Sequence, residues 1–223
     1  MSSRSLYDSI HDKGILAIGS GKVGIDGYLS GAMPDTRMGV SLIIPIRSIA
    51  RTYEDLVSSL RDIEPGHYYY PLRDLHITIF DFIQGTDAYA RNPELEKTFA
   101  RISGEALKGI HAFPIAFKGI VFSDAAGLVQ GYDENILIEI RDKIRLSLGK
   151  SGIRNDERYE SKSAHVTFMR FADKPGKAKE LCEFIAGNRD TELGVETVQE
   201  IELVEHDWYN HESTKRVIER FSI

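Results

Sequence analysis

Leu75-His76-Ile77-Thr78-Ile79-Phe80-Asp81-Phe82-Ile83 is the stretch that decides how this chain folds. Its residues alternate well enough for a β-strand, where successive side chains point to opposite faces. His76, Thr78 and Phe80 are then expected on one face, with Ile77 and Ile79 turned to the core on the other. A second strand, Ala164 to Phe171, repeats the order: His165, Thr167 and Met169 are expected together, opposite Val166 and Phe168. About one lobe's length of chain separates the two histidines. An internal repeat of this kind brings the two strands face to face.

Outward from these strands the chain reads as two copies of strand, helix, histidine strand, helix. In the first half, a β-branched run at Val40–Ile46 precedes a helix at 52–63, with Thr52 as N-cap and Leu56, Leu60 and Ile63 at helical spacing. An aromatic loop, His67–Pro71, leads into the histidine strand, and Pro93 opens a helix at 93–107. In the second half, strands are expected at 113–122 and 127–131, then a helix from Asp133 as N-cap. A helix near 175–186 and a closing strand at Val198–Glu205 follow the second histidine strand. Residues 1–36 carry Gly14, Gly19, Gly21, Gly24, Gly27 and Gly31 and read as an extended arm or flap. The expected organisation is that arm plus one bilobal domain at 37–223, with lobes about 37–110 and 111–223 and an exchange of termini between lobes left open.

The whole chain limits the partners. Its 223 residues, 42% hydrophobic and 28% charged, suffice for a packed core without staples. A net charge of −6 does not suit a protein that grips long nucleic acid by its overall field. A small nucleotide or a short RNA end is the expected partner, with no DNA, no membrane and a monomeric state. One cysteine, Cys182, excludes an intramolecular disulfide or a Cys-rich metal cluster. No apolar run approaches a bilayer span or a secretion signal, so the cytoplasm is the expected location.

Paired His-x-Thr segments suit displacement at phosphorus. Such a reaction needs a base for the nucleophile and an acid for the leaving oxygen, and imidazole does both near neutral pH. A threonine hydroxyl donates to a non-bridging oxygen where charge accumulates. His76 and His165 are the candidate catalytic residues, Thr78 and Thr167 the candidate phosphate-binding residues, with no metal and no cofactor. With these residues the chain resembles the 2H phosphoesterases: His76-Ile77-Thr78-Ile79 and His165-Val166-Thr167-Phe168 match that family's motif twice. The resemblance implies an α+β (two-lobed α/β) fold, pseudo-symmetric, of two mainly antiparallel sheets with outer helices around a central cleft. It implies metal-independent cleavage of a cyclic or 2′-linked phosphodiester of a nucleotide or RNA end.

Around that core, Asp74 and Ser163 each precede a histidine by two positions and are candidates to orient an imidazole. Phe80 and Tyr70 offer stacking surfaces for a base, and Tyr159 and Lys162 lie on the loop entering the second strand. Arg170 stands at an odd offset from His165, which points it away from the phosphate. His11, His67, His111, His206 and His211 share no metal-ligand spacing and read as surface or core residues. Two other functions compete. One is a non-catalytic RNA or nucleotide binder of the same fold. The other is a dinucleotide-dependent oxidoreductase, suggested by Gly19-Ser20-Gly21-Lys22-Val23-Gly24; Gly27, Gly31 and Pro34 interrupt the helix that such a motif must open.

Overall fold

A computed structural model describes residues 3–155, 157 and 160–223. Alternating and β-branched segments supply the strands β1 (Met38–Pro45), β2 (Tyr68–Tyr69), β3 (His76–Thr86), β4 (Phe113–Phe122), β5 (Ala126–Tyr132), β6 (Val166–Arg170), β7 (Glu192–Val198), β8 (Glu200–Asp207) and β9 (Arg216–Ser222). They form two antiparallel sheets, ordered β3-β1-β8-β9 and β2-β6-β5-β4-β7. The C-terminal strands β8 and β9 therefore complete the sheet begun by β1 and β3. The architecture is α+β.

Helices α1 (Ser3–Gly19), α2 (Ala50–Ile63), α3 (Pro93–Leu107), α4 (Ile136–Lys150) and α5 (Ala178–Gly187) accompany the sheets. The amphipathic pattern of α2 places Tyr53, Leu56, Val57 and Leu60 inward. Complete burial of such a side chain stabilises by roughly 1.5–3 kcal/mol. For α3 the start is Asn92, which accepts from the amides of Glu94 and Leu95 one residue before Pro93. Two expected caps differ. Thr52 lies inside α2 and its hydroxyl donates to the Leu193 carbonyl, while Asp133 accepts from the Leu137 amide ahead of α4.

Residues 3–19 are helical, whereas an extended arm was expected from their glycines. Tertiary packing overrides the weak local pattern. Tyr7 of α1 is fully buried, and its hydroxyl donates to the Gly131 carbonyl at 3.0 Å and accepts from the Gly131 amide at 3.1 Å. Gly14 serves contact rather than flexibility, since a Cβ there would stand 1.8 Å from the Phe122 carbonyl oxygen. The glycine motif at 19–24 begins where this helix ends, not between a strand and a helix, which removes the context that a dinucleotide turn requires. No helix among the described residues is long and apolar enough to cross a membrane.

Both histidine strands contain a β-bulge just after the threonine. On β3, Thr78 faces Ile43 but Phe80 faces Leu42, so Ile79 is extra. On β6, Thr167 faces Leu128 but Met169 faces Gly127, so Phe168 is extra. An extra residue reverses the alternation beyond it. Phe80 and Met169, expected beside the threonines, turn into the core at 2% and 0% exposure. Asp81 and Arg170 take their places.

Candidate active site

His76, Thr78, His165 and Thr167 all line one cavity of about 600 Å³. Each is half-buried, held by a strand whose alternate residues are in the core. His76 Nδ1 lies 2.9 Å from the Asp74 carbonyl oxygen. A carbonyl only accepts, so the tautomer that satisfies it protonates Nδ1 and leaves Nε2 basic; the Asn210 side-chain amide, 3.2 Å from the same nitrogen, then turns its otherwise unpartnered oxygen toward it. Asp74 thus orients the ring through its backbone, while its carboxylate accepts from the Glu212 amide. The second ring is oriented by a side chain instead: Ser163 Oγ is 2.7 Å from His165 Nδ1. Burial pushes His76 down to about 3 and His165 down to about 4, with the Arg141 cation adding to the shift of His165. Both rings are neutral near pH 7 before an anion arrives.

Arg141 joins the two motifs. It reaches from α4 with 1% exposure, and its Nε donates to the Ile79 carbonyl at 2.8 Å. Its Nη2 donates to the carbonyls of Thr78 at 3.1 Å and Ser163 at 2.8 Å. One guanidinium therefore fixes the backbone beside both histidines. Burial lowers its pKa to about 10, which still leaves it cationic at neutral pH.

Arg170, assigned away from the site on its odd offset, lines the cavity because the β6 bulge turns it round. Its Nε donates to the Tyr70 hydroxyl at 2.8 Å and its guanidinium sits 5.3 Å from the centre of the Trp208 ring. Tyr70 lines the cavity with its hydroxyl committed to that bond. Phe80 forms part of the wall but is packed against Phe82, 5.2 Å between ring centres, so it offers little stacking surface. Lys162 is at the mouth, paired with Glu160 at 3.2 Å. Tyr159 lies outside the described residues.

Sequence reasoning also missed His206, read as a surface or core residue. It lies on the cavity face of β8, diagonal to Ser41 of β1, and its ring centre is 6.3 Å from that of His76. The available signal was Ser41 itself, a polar residue inside an apolar strand. At the other end Leu6 and Ile10 of α1 join Ala125 and Leu128 in an apolar wall. The N-terminal segment therefore helps to form the cavity.

The fold is shared with solved structures at low sequence identity. TT0787 of Thermus thermophilus is 16% identical, with a TM-score of 0.57 over 83% of this chain and 97% of that one. E. coli LigT in its apo form is 15% identical, with a TM-score of 0.54 over 84% and 98%. A structure described as a phosphoesterase is 14% identical, with a TM-score of 0.56 over 84% and 98%. LigT has also been crystallised with ATP, with 3′-AMP and with phosphate. No family model and no curated protein matches the sequence.

Proposed function

We propose that this chain is a metal-independent phosphodiesterase acting on a cyclic or 2′-linked phosphodiester of a small nucleotide or short RNA end. The observation that carries the reading is the convergence of two His-x-Thr strands on one cavity, with Arg170 beside them. Thr78 and Thr167 donate to the phosphoryl oxygens, and Arg170 offsets their charge. His76, whose Nδ1 proton is held by the Asp74 carbonyl, offers Nε2 as the base for water or a ribose hydroxyl. His165 faces a hydroxyl that can donate or accept, so it can carry the proton that goes to the leaving oxygen. The substrate's own negative charge raises the imidazole pKa on binding, so that His165 takes up a proton from solvent and serves as the acid. The LigT complexes with 3′-AMP and ATP support a nucleotide as the ligand class.

The test is a panel of 2′,3′-cyclic nucleotides, 2′-5′- and 3′-5′-linked dinucleotides and ADP-ribose cyclic phosphate, with the position of the product phosphate read out. Turnover that persists in EDTA and falls by about 10²–10⁴ in His76→Ala and in His165→Ala supports the mechanism. Binding without turnover would make the chain a nucleotide binder; full turnover by the double variant would end the two-histidine mechanism.

A further inference from the structure

Ser41 interrupts the apolar run of β1 and is 1% exposed. Its Oγ stands 2.6 Å from Asp81 Oδ1 and 2.8 Å from His206 Nε2. Sheet register explains the meeting. Ser41 pairs with Asp81 on β3, and Gly39 pairs with His206 on β8, so all three side chains share the cavity face. Each of them lines the cavity.

The protons available to this chain of three groups are tightly constrained. His206 Nδ1 is 2.7 Å from the Asp207 carbonyl, which only accepts, so Nδ1 carries a proton. Two arrangements then satisfy every contact. In one, an imidazolium Nε2–H donates to Ser41, which donates to an Asp81 carboxylate. In the other, a protonated Asp81 donates to Ser41, which donates to a neutral Nε2. Passage between them moves one proton from the carboxyl to Ser41 while the Ser41 proton moves to Nε2, with no change in net charge. Burial raises Asp81 and lowers His206, which favours the neutral pair. Lys215, Asp207 and His76 face His206; Glu157 and Arg141 act on Asp81.

We propose that Asp81, Ser41 and His206 form a shared-proton subsite that binds a neutral, hydroxyl-bearing group of the substrate, the sugar next to the scissile phosphate. This rests on the phosphodiesterase reading above. Position supports it: Thr78 pairs with Ile43 and Asp81 with Ser41, two residues further along β1. Two residues of strand span roughly 7 Å, the scale of a sugar extending from a phosphate. Charge supports it too. Asp81 and Arg170 occupy equivalent places, three residues after the two threonines. The Arg170 side attracts phosphate, whereas the Asp81 side, a neutral pair overall, offers no net positive charge to a second anion and suits a hydroxyl. A sugar hydroxyl both donates and accepts, and the shared proton lets this wall answer either need.

Calorimetric titration with two probes, inorganic phosphate and 3′-AMP, separates the subsite from the phosphate site. Ser41→Ala and Asp81→Asn should weaken 3′-AMP about tenfold or more relative to phosphate. Phosphate binding doubles as the check that each variant is folded. Equal weakening of both probes, or of neither, overturns the subsite, as does wild-type protein that binds 3′-AMP no more tightly than phosphate. If wild type binds neither probe, the phosphodiesterase reading fails together with the subsite. Imidazole ¹⁵N spectra of the unliganded protein then judge the proton chain by itself. His206 Nδ1 should stay protonated between about pH 5 and 8, and its Nε2 signal should move in Ser41→Ala; an unprotonated Nδ1 refutes the chain.

Discussion

Arg141→Met removes a side chain that bonds to backbone carbonyls beside both histidines. Three charge-assisted hydrogen bonds, to the carbonyls of Thr78, Ile79 and Ser163, are lost. Unpairing a buried carbonyl costs about 1–3 kcal/mol, and three such losses far exceed the effect of a surface substitution. Releasing a buried cation from desolvation returns several kcal/mol. The net loss of stability is expected to be about 1–3 kcal/mol, visible as a lower urea midpoint. Function should suffer more than stability. A displacement on the order of 1 Å between the histidines can cost about 10²-fold in turnover. The electrostatic consequence has a definite sign: the Arg141 cation lowers His165, so its removal raises the His165 pKa. Urea titration, NMR titration of His165 and single-turnover kinetics read the three effects. Lys143→Met on the same helix is the control, since its i,i+4 pair with Glu139 is solvent-exposed and worth under about 1 kcal/mol. Turnover within twofold of wild type and an unmoved His165 pKa in Arg141→Met would refute the reasoning.

Further expectations follow from the same geometry. Ser163→Ala frees the His165 ring from its 2.7 Å partner and is expected to lower kcat about tenfold with little change in KM, whereas a raised KM with kcat unchanged would indicate a binding role. Tyr7→Ala empties a fully buried aromatic site under α1 and should cost about 3–5 kcal/mol in denaturant titrations; a loss below about 1 kcal/mol would restore the view of residues 1–36 as a loose flap. The two depressed histidines make stability fall with acid. The unfolded chain takes up protons below its ordinary histidine pKa of about 6.5, and the folded chain does so only near 4 for His165 and 3 for His76. Each histidine then removes about 1.4 kcal/mol per pH unit from about 6.5 down to its folded pKa. Urea midpoints measured from neutral to about pH 5 should show this slope, and a His76→Gln, His165→Gln variant should flatten it.

Local patterns in the chain were enough to identify most of its pieces. Alternation around His76 and His165 marked the two strands, helical spacing marked α2 to α5, and the repeated His-x-Thr marked two segments that line one cavity. These signals are carried by periods of two and 3.6 residues. What lies beside the histidines came from packing between distant segments. The bulges at Ile79 and Phe168 exchange Phe80 for Asp81 and Met169 for Arg170, and a bulge is set by pairing with the neighbouring strand rather than by composition. His206 enters the cavity only because β8 pairs with β1 across most of the chain's length. α1 is a helix because Tyr7 and Gly14 fit against the second sheet, a contact no window of sequence contains. Periodicity reports the face a residue would show in an undisturbed element; long-range pairing decides which face that is and what stands opposite.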